Sequence, residues 1–170
     1  MPLVKKNHIV IDQFTTLDDT DAFAPGGNIL VPAARFLANP HSFLTNGGKV
    51  GVIWPNTHDI SELAPYLPKL AVVALVFPNF RDGRAYSQSR ILRERYAYKG
   101  EIRAMGQVLR DQFVFMLRAG FDAFNVTKEA DAQAFASTAK RYSVFYQPAA
   151  DARPTAFRRR MAFHAAVAPP

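Results

Sequence analysis

The chain has 170 residues, 49% of them hydrophobic, and a net charge of +7, which suits one globular domain long enough to bury a core. It has no cysteine, which excludes a disulfide framework, a thiolate nucleophile, a Cys-x-x-Cys redox pair and a cysteine-held metal or iron–sulfur centre; electron chemistry would need a borrowed cofactor, and no cofactor of its own is expected. The longest apolar run, Leu70 to Pro78, is less than half of the roughly 20 residues that cross a bilayer, and Ile9-Val10-Ile11 after Lys5-Lys6 is too short for a signal peptide, so a cytoplasmic protein with no membrane association is expected.

In chain order, residues 8 to 14 and 28 to 31 read as two strands of an N-terminal β segment, joined by an aspartate-rich loop through Pro25-Gly26-Gly27. Lys49 to Trp54 is a β-rich run closed by Pro55-Asn56, and a short helix follows from a Thr57 or Asp59 cap to Leu67, where Pro68 ends it. Leu70 to Phe77 is almost continuously apolar, the mark of a strand buried on both faces, and it is the expected central strand. A second helix spans about Arg84 to Tyr98, with Ala85, Ser89, Leu92 and Tyr96 on one face and Gly100 as its stop. Glu101 to Met105 is the third strand and Gln107 to Ala119 the third helix, stopped by Gly120. Phe121 to Val126 is the fourth strand, and Thr127 caps an alanine-rich helix to about Arg141 with Ala132, Phe135, Ala136 and Ala139 as its core face.

Four strands alternating with helices imply parallel pairing and an α/β class. The even repeat, without a Gly-x-Gly-x-x-Gly turn, favours sequence order and half of a (β/α)-barrel over a doubly wound sheet. That order leaves one sheet face bare, to be covered in part by the N-terminal β segment and for the rest by another copy of the chain in a homo-oligomer. The expected organisation is a single α/β domain over 1–147, comprising an N-terminal segment 1–47 and a βα core 48–147. After Gln147 the chain turns to Pro, Ala and Arg, so 148–170 reads as a tail that is flexible or ordered only on a partner.

Charge is uneven. Nine basic residues face four acidic ones between Arg81 and Arg118, and six face Asp151 alone between Lys140 and Arg160. Such zones attract nucleic acid, anionic substrates or acidic proteins; a solvated basic face is the plainer alternative. At the end of the central strand, Arg81, Arg84, Ser87 and Arg90 converge on paper on one anion-sized site, supported by the Asp82-Gly83 turn and by Asp111 and Gln112 on the next helix. The competing reading leaves Arg84 and Arg90 solvated or paired to Asp82 and Glu94. Gln112, amid an apolar face, is expected to bond a strand end, and Asp111 to pair with Arg110 or Arg103 or to hold a pocket arginine. Arg93 and Arg95, with Arg158, Arg159 and Arg160, are the candidate docking cations. His8, His41, His58 and His164 lack ligand spacing, so no metal site is expected, and neither a Gly-x-Ser-x-Gly elbow nor a phosphate-binding Gly-Lys-Ser/Thr loop appears. Without a recognisable nucleic-acid fold, the arginine tail is read as solvated or partner-seeking.

The ordered string Phe77-Pro78, Phe80, Asp82-Gly83-Arg84, Tyr86-Ser87, Leu92 to Arg95, Gly100-Glu101, Arg103-Ala104, Gly106, Val108 to Gln112 and Gly120 to Phe124 resembles a bacterial family of unknown function over about residues 25 to 147. Its members commonly accompany assimilatory sulfite reductase and are loosely labelled oxidoreductases. Ala85 stands where that family's glycine is expected and Ser89 where a small apolar residue is usual. The resemblance implies a pathway, the reduction of sulfate to sulfide, rather than a catalytic role. The expected function is a non-catalytic accessory or adaptor that binds sulfite reductase or its acidic electron donor. The alternative is an enzyme or sensor that holds a small sulfur oxyanion at Arg81, Arg84, Ser87 and Arg90.

Overall fold

The computed structural model of the chain describes residues 2–6, 8–139, 142–151 and 153–167. The strands are β1 Leu3–Lys5, β2 His8–Val10, β3 Thr15–Thr16, β4 Ile29–Pro32, β5 Val50–Trp54, β6 Val72–Phe77, β7 Glu101–Gly106 and β8 Ala123–Asn125. The helices are α1 Ala33–Ala38, α2 Pro40–Leu44, α3 Arg84–Arg90, α4 Phe113–Ala119, α5 Glu129–Ala139 and α6 Ala156–Val167. All eight strands form one sheet in the order β2-β1-β8-β7-β6-β5-β4-β3. From β3 to β8 neighbours are parallel, whereas β1 is antiparallel to both β8 and β2.

The α/β class is as expected, and β5 to β8 run parallel in sequence order. The expectation of four parallel strands is corrected, however: the sheet is mixed and twice as wide. The N-terminal segment supplies part of the cover expected of it through residues 11–14, but its strands do not form a separate layer. It splits, with β1 and β2 extending one edge and β3 and β4 the other. The expected helix after β5 is two 3-10 turns, Ile60–Leu63 and Leu67–Lys69, the first capped by Asp59 through Ser61 N at 2.9 Å. The helix expected to Tyr98 is α3 followed by a π-helical turn, Ile91–Arg95. Gly120, at φ 107°, stops α4 as expected. Arg141, the expected end of the alanine-rich helix, and the side chains of Ala136 and Ala139 lie outside the described residues; Ala132 and Phe135 are buried.

Sequence-ordered parallel strands joined by right-handed crossovers send every helix to one face. The main core lies there, with Val52, Trp54, Val73, Leu75, Phe77, Ile102 and Phe124 from the sheet packed on Phe36, Leu63, Leu92, Phe113, Met116 and Phe135. The other face carries the alternate residues Leu30, Val72 and Ala74, covered by Phe14. Phe14 belongs to the connection between β2 and β3, which are opposite edges of the sheet. A flat sheet of eight strands would be roughly 34 Å wide, at about 4.8 Å per gap. The chain from Val10 to Thr15 reaches at most about 18 Å. The sheet is therefore curled, and residues 11–14 strap its concave, helix-free face.

Glu101 and Arg103, two apart on β7, both point into that concave face. Arg103 is 1% exposed; its Nε donates to Glu101 at 2.8 Å and its Nη1 to Asp12 of the strap at 2.6 Å, while Lys5 Nζ reaches the other Glu101 oxygen at 2.6 Å. Its guanidinium also lies over the Phe14 ring, 5.6 Å from the centroid. Arg103, one of the partners expected for Asp111, is thus engaged by Asp12 and Glu101 instead.

The stretch expected as a tail is joined to the body. Arg118 donates to Gln147 O at 2.5 Å and accepts from Ala150 N at 3.0 Å through its own carbonyl, its guanidinium lies 4.0 Å from the centroid of the Phe145 ring, and Phe145 bridges Thr155 just before α6.

Removing one member of a buried ion network leaves its partners charged and unpaired. Arg103→Ala is expected to lower unfolding free energy by about 3 kcal/mol in urea denaturation. A loss below about 1 kcal/mol would show that the strap holds without it.

Candidate functional site

At the C-terminal end of β6 the chain turns through residues 78–83 into α3. The turn is held from β7. Gly106 takes φ 90°, and a Cβ there would lie 2.3 Å from Phe77 O, so only glycine lets the two strands end this close. Gln107 N then donates to Phe77 O at 2.8 Å, and its side-chain oxygen accepts from Phe80 N at 3.1 Å. Gln112 Nε2 donates to Phe80 O at 3.0 Å, a loop carbonyl three residues past the end of β6 rather than the strand end expected of it, so two glutamines clamp one loop residue. Asp82 receives Arg84 N at 3.2 Å and closes the first turn of α3.

The four residues expected to form an anion site do not meet at one point. Arg84 is engaged by Asp82, Nε at 3.0 Å from Oδ1 and Nη2 at 2.6 Å from Oδ2. Arg81 lies over its neighbour's ring, 5.4 Å from the Phe80 centroid. Arg90, about 9 Å farther along the helix by its rise, pairs with Glu94 at 3.1 Å. Ser87 and Arg90 instead share a shallow hollow of about 270 Å³ with Arg95 on the outer face of the helix. The sequence alternative in which Arg84 and Arg90 pair locally is the arrangement found.

The pairing sets the electrostatics. The Asp82 carboxyl is held well below the ordinary carboxylate range by the Arg84 guanidinium first and the Arg84 N–H second. The nearby Asn56 amide acts in the same direction, although its Nδ2 falls outside hydrogen-bond geometry. Tyr86, packed against Phe77 and Phe121, is pushed up to about 12 by burial, with the charge of Asp111 adding to it. It stays a neutral phenol near pH 7 and is no base. Asp111 itself is exposed and has no ion-pair partner among the described residues.

Of the docking cations, Arg93 is not a free surface charge. Nε donates to Gly120 O at 3.0 Å, Nη1 to Tyr98 O and Gly100 O at 2.5 and 2.9 Å, and Nη2 to the Asp122 carboxylate, so the guanidinium staples the turn after α3 to the end of α4 and to the residues leading into β7 and β8. Arg95 is exposed over the Tyr96 ring, and Arg158, Arg159 and Arg160 are exposed on α6.

Sequence reasoning missed Gln88, which is buried and donates to Pro55 O and His58 O at 3.2 and 2.9 Å, tying α3 to the loop after β5. Ser89, the departure from the family's small apolar residue, is fully buried and donates to Ala119 O at 2.9 Å. The Arg103 network was also missed, although its signal was present: Glu101 and Arg103 alternate with the apolar Ile102 and Ala104, which puts charge on one face of an interior strand. Trp54 Nε1, Asn56 Nδ2 and Gln88 Oε1 are buried without a partner among the described residues. No trio of His, Asp or Glu suited to a metal occurs among the described residues. No helix there is long and apolar enough to cross a membrane.

The family model described as a bacterial protein of unknown function (DUF934) matches residues 51–157, more than half of the chain. The match contains the whole motif string, begins and ends later than the expected span of about 25 to 147, and takes in the Arg118-anchored segment up to the start of α6. No curated protein is significantly similar to the chain.

A carboxyl whose folded pKa is depressed adds stability above its unfolded pKa and loses it as pH falls through the folded one. In an NMR titration Asp82 is expected to stay ionised well below its ordinary value of 3.8, and in Arg84→Ala its midpoint is expected to move back up toward that value. An unchanged midpoint in the variant would remove the ion pair as the cause.

Proposed function

The chain belongs to this bacterial family, and on that premise we propose that it is an accessory or adaptor protein of assimilatory sulfate and sulfite reduction, cytoplasmic and without catalysis of its own. The pathway comes from the motif resemblance. The mode of action rests on one observation, the C-terminal helix. α6 has 12 residues, a length that is marginal in water without packing. Yet Phe157 and Met161, one turn apart, are 67% and 56% exposed, and the three arginines between them are exposed as well. A helix with two bare apolar side chains and a run of guanidinium groups suits a partner surface that is acidic around an apolar hollow. Sulfite reductase or its acidic electron donor is that partner. Arg95 and Arg81 extend the positive field on the body.

The test is affinity. The purified chain should co-purify with the reductase or the donor, and the complex should weaken as salt rises. Charge reversal of Arg158, Arg159 and Arg160 together should weaken it by about tenfold or more. Failure of both proteins to bind, or binding unchanged by the reversal, would refute the adaptor. Saturable sulfite or sulfate binding that is lost in Arg84→Ala would support the oxyanion reading instead, and it requires Arg84 to leave Asp82.

A further inference from the structure

A cavity of about 420 Å³ opens at the N-terminal ends of β7 and β8, the end of the sheet opposite the strand-end loop. Its floor is apolar, made by Leu117 of α4, Phe121 ahead of β8 and Phe135 of α5. Three ammonium groups stand around it: Lys5 at the end of β1, Lys6 in the turn to β2, and Lys99 just ahead of β7.

Two carboxylates also line the cavity, and each is already paired with a cation, Asp122 through Oδ2 alone. Glu101 is held by Arg103 and Lys5. Asp122 accepts from Arg93 and from Ile102 N at 2.8 Å. Lys6 and Lys99, both exposed, have no ion-pair partner among the described residues. The surplus charge at the mouth is therefore positive, above a floor that offers only hydrocarbon. The 180 Å³ hollow beside Arg103 on the concave face differs, because its cations are matched by Asp12 and Glu101.

The loops that carry the two free lysines are tightly built. Lys6 has φ 50°, the positive angle that a two-residue mirror-image hairpin turn requires. Ala97, two residues before Lys99, also has φ 50°. Gly100 is fixed by Tyr98, whose hydroxyl would lie 2.2 Å from a Cβ there and donates to Leu70 O at 3.0 Å. Short constrained loops hold the positions of charges that would otherwise wander on four-carbon stems.

We propose that this cavity binds a small organic anion, an aromatic or similarly flat body ending in a phosphate or sulfate group. The body rests on Phe121, Phe135 and Leu117, and the oxyanion meets Lys6 and Lys99. The volume falls within the range of small-molecule sites, and one apolar body plus one charged end is the combination the lining provides. A bare inorganic oxyanion would leave the floor uncovered, so the body adds affinity. The site is independent of the docking helix, so neither proposal depends on the other.

The experiment is a calorimetric titration of the full chain with phenyl phosphate, AMP and inorganic phosphate, repeated on Lys6→Glu/Lys99→Glu. Both substitutions are at exposed positions, and an unchanged thermal midpoint confirms that the variant is folded. At least one of the two organic anions should bind about tenfold or more tighter than inorganic phosphate and lose about tenfold or more in the variant. In NMR spectra its shifts should fall on Leu117, Phe121 and Phe135. Absence of binding by both, equal binding of inorganic phosphate, an unaffected variant, or shifts confined to residues 78–90 would each overturn the site. Reversing Arg158 to Arg160 should leave this titration unchanged.

Discussion

The concave face of the sheet is closed by a guanidinium. Arg103 sits in the middle of β7, on the side that no helix covers, and taking its charge out of water costs several kcal/mol unless partners are built around it. Glu101 supplies one from the same strand and Asp12 another from the strap. Lys5 then balances Glu101 from the neighbouring region of the sheet. One network thus joins the first strand, the β2–β3 connection and β7, elements separated by about ninety positions in the chain. Phe14 can lie over Leu30, Val72 and Ala74 because Asp12, two residues earlier, is fixed to Arg103. The curl of the sheet and the cover over its open side are therefore one structural event.

With the concave face closed by its own chain, the helices are free to arrange the other side. There the buried polar side chains act as ties rather than as chemistry. Ser89 fastens α3 to α4, Gln88 fastens α3 to the loop after β5, and Arg93 gathers three carbonyls and a carboxylate. The same economy explains why the basic zone between Arg81 and Arg118 is less cationic than its count of nine suggests. Arg93, Arg103 and Arg118 are spent on the interior, and Arg84 and Arg90 on adjacent carboxylates. Exposed local pairs of this kind contribute little to stability, but they do lower the field available to an anion.

Much of the central fold was legible because strong local signals agreed. Leu70 to Phe77 is apolar without a break, Gly120 needs its positive φ, and Asp59 caps the turn it precedes. The misses have physical causes. β1 and β3 have three and two residues, too few for a period to show, and Lys5-Lys6 disguises the end of β1. The strap could not be read because its cover depends on a contact between Asp12 and Arg103 that sequence separation hides. For the candidate site, residue types were legible but partners were not. Arg84 two residues from Asp82 and Arg90 four from Glu94 are spacings that satisfy local pairs, and proximity in the chain won over convergence in space.

What is left over after this internal pairing lies in two places and has two characters. At the N-terminal end of the sheet the surplus is two lysines beside an open cavity with an apolar floor, a geometry that can hold a small body. On α6 the surplus is three arginines between exposed Phe157 and Met161, a convex helix that can only be surrounded by something larger. Guanidinium groups suit carboxylates on a protein surface through their paired donors, while ammonium groups on fixed loops act as point charges toward a compact oxyanion. Nucleic acid would be met by the arginines but would leave Phe157 and Met161 unburied unless bases were splayed out to stack on Phe157. An acidic protein with an apolar hollow satisfies both kinds of side chain at once, and for that reason the helix is read as a protein-docking element.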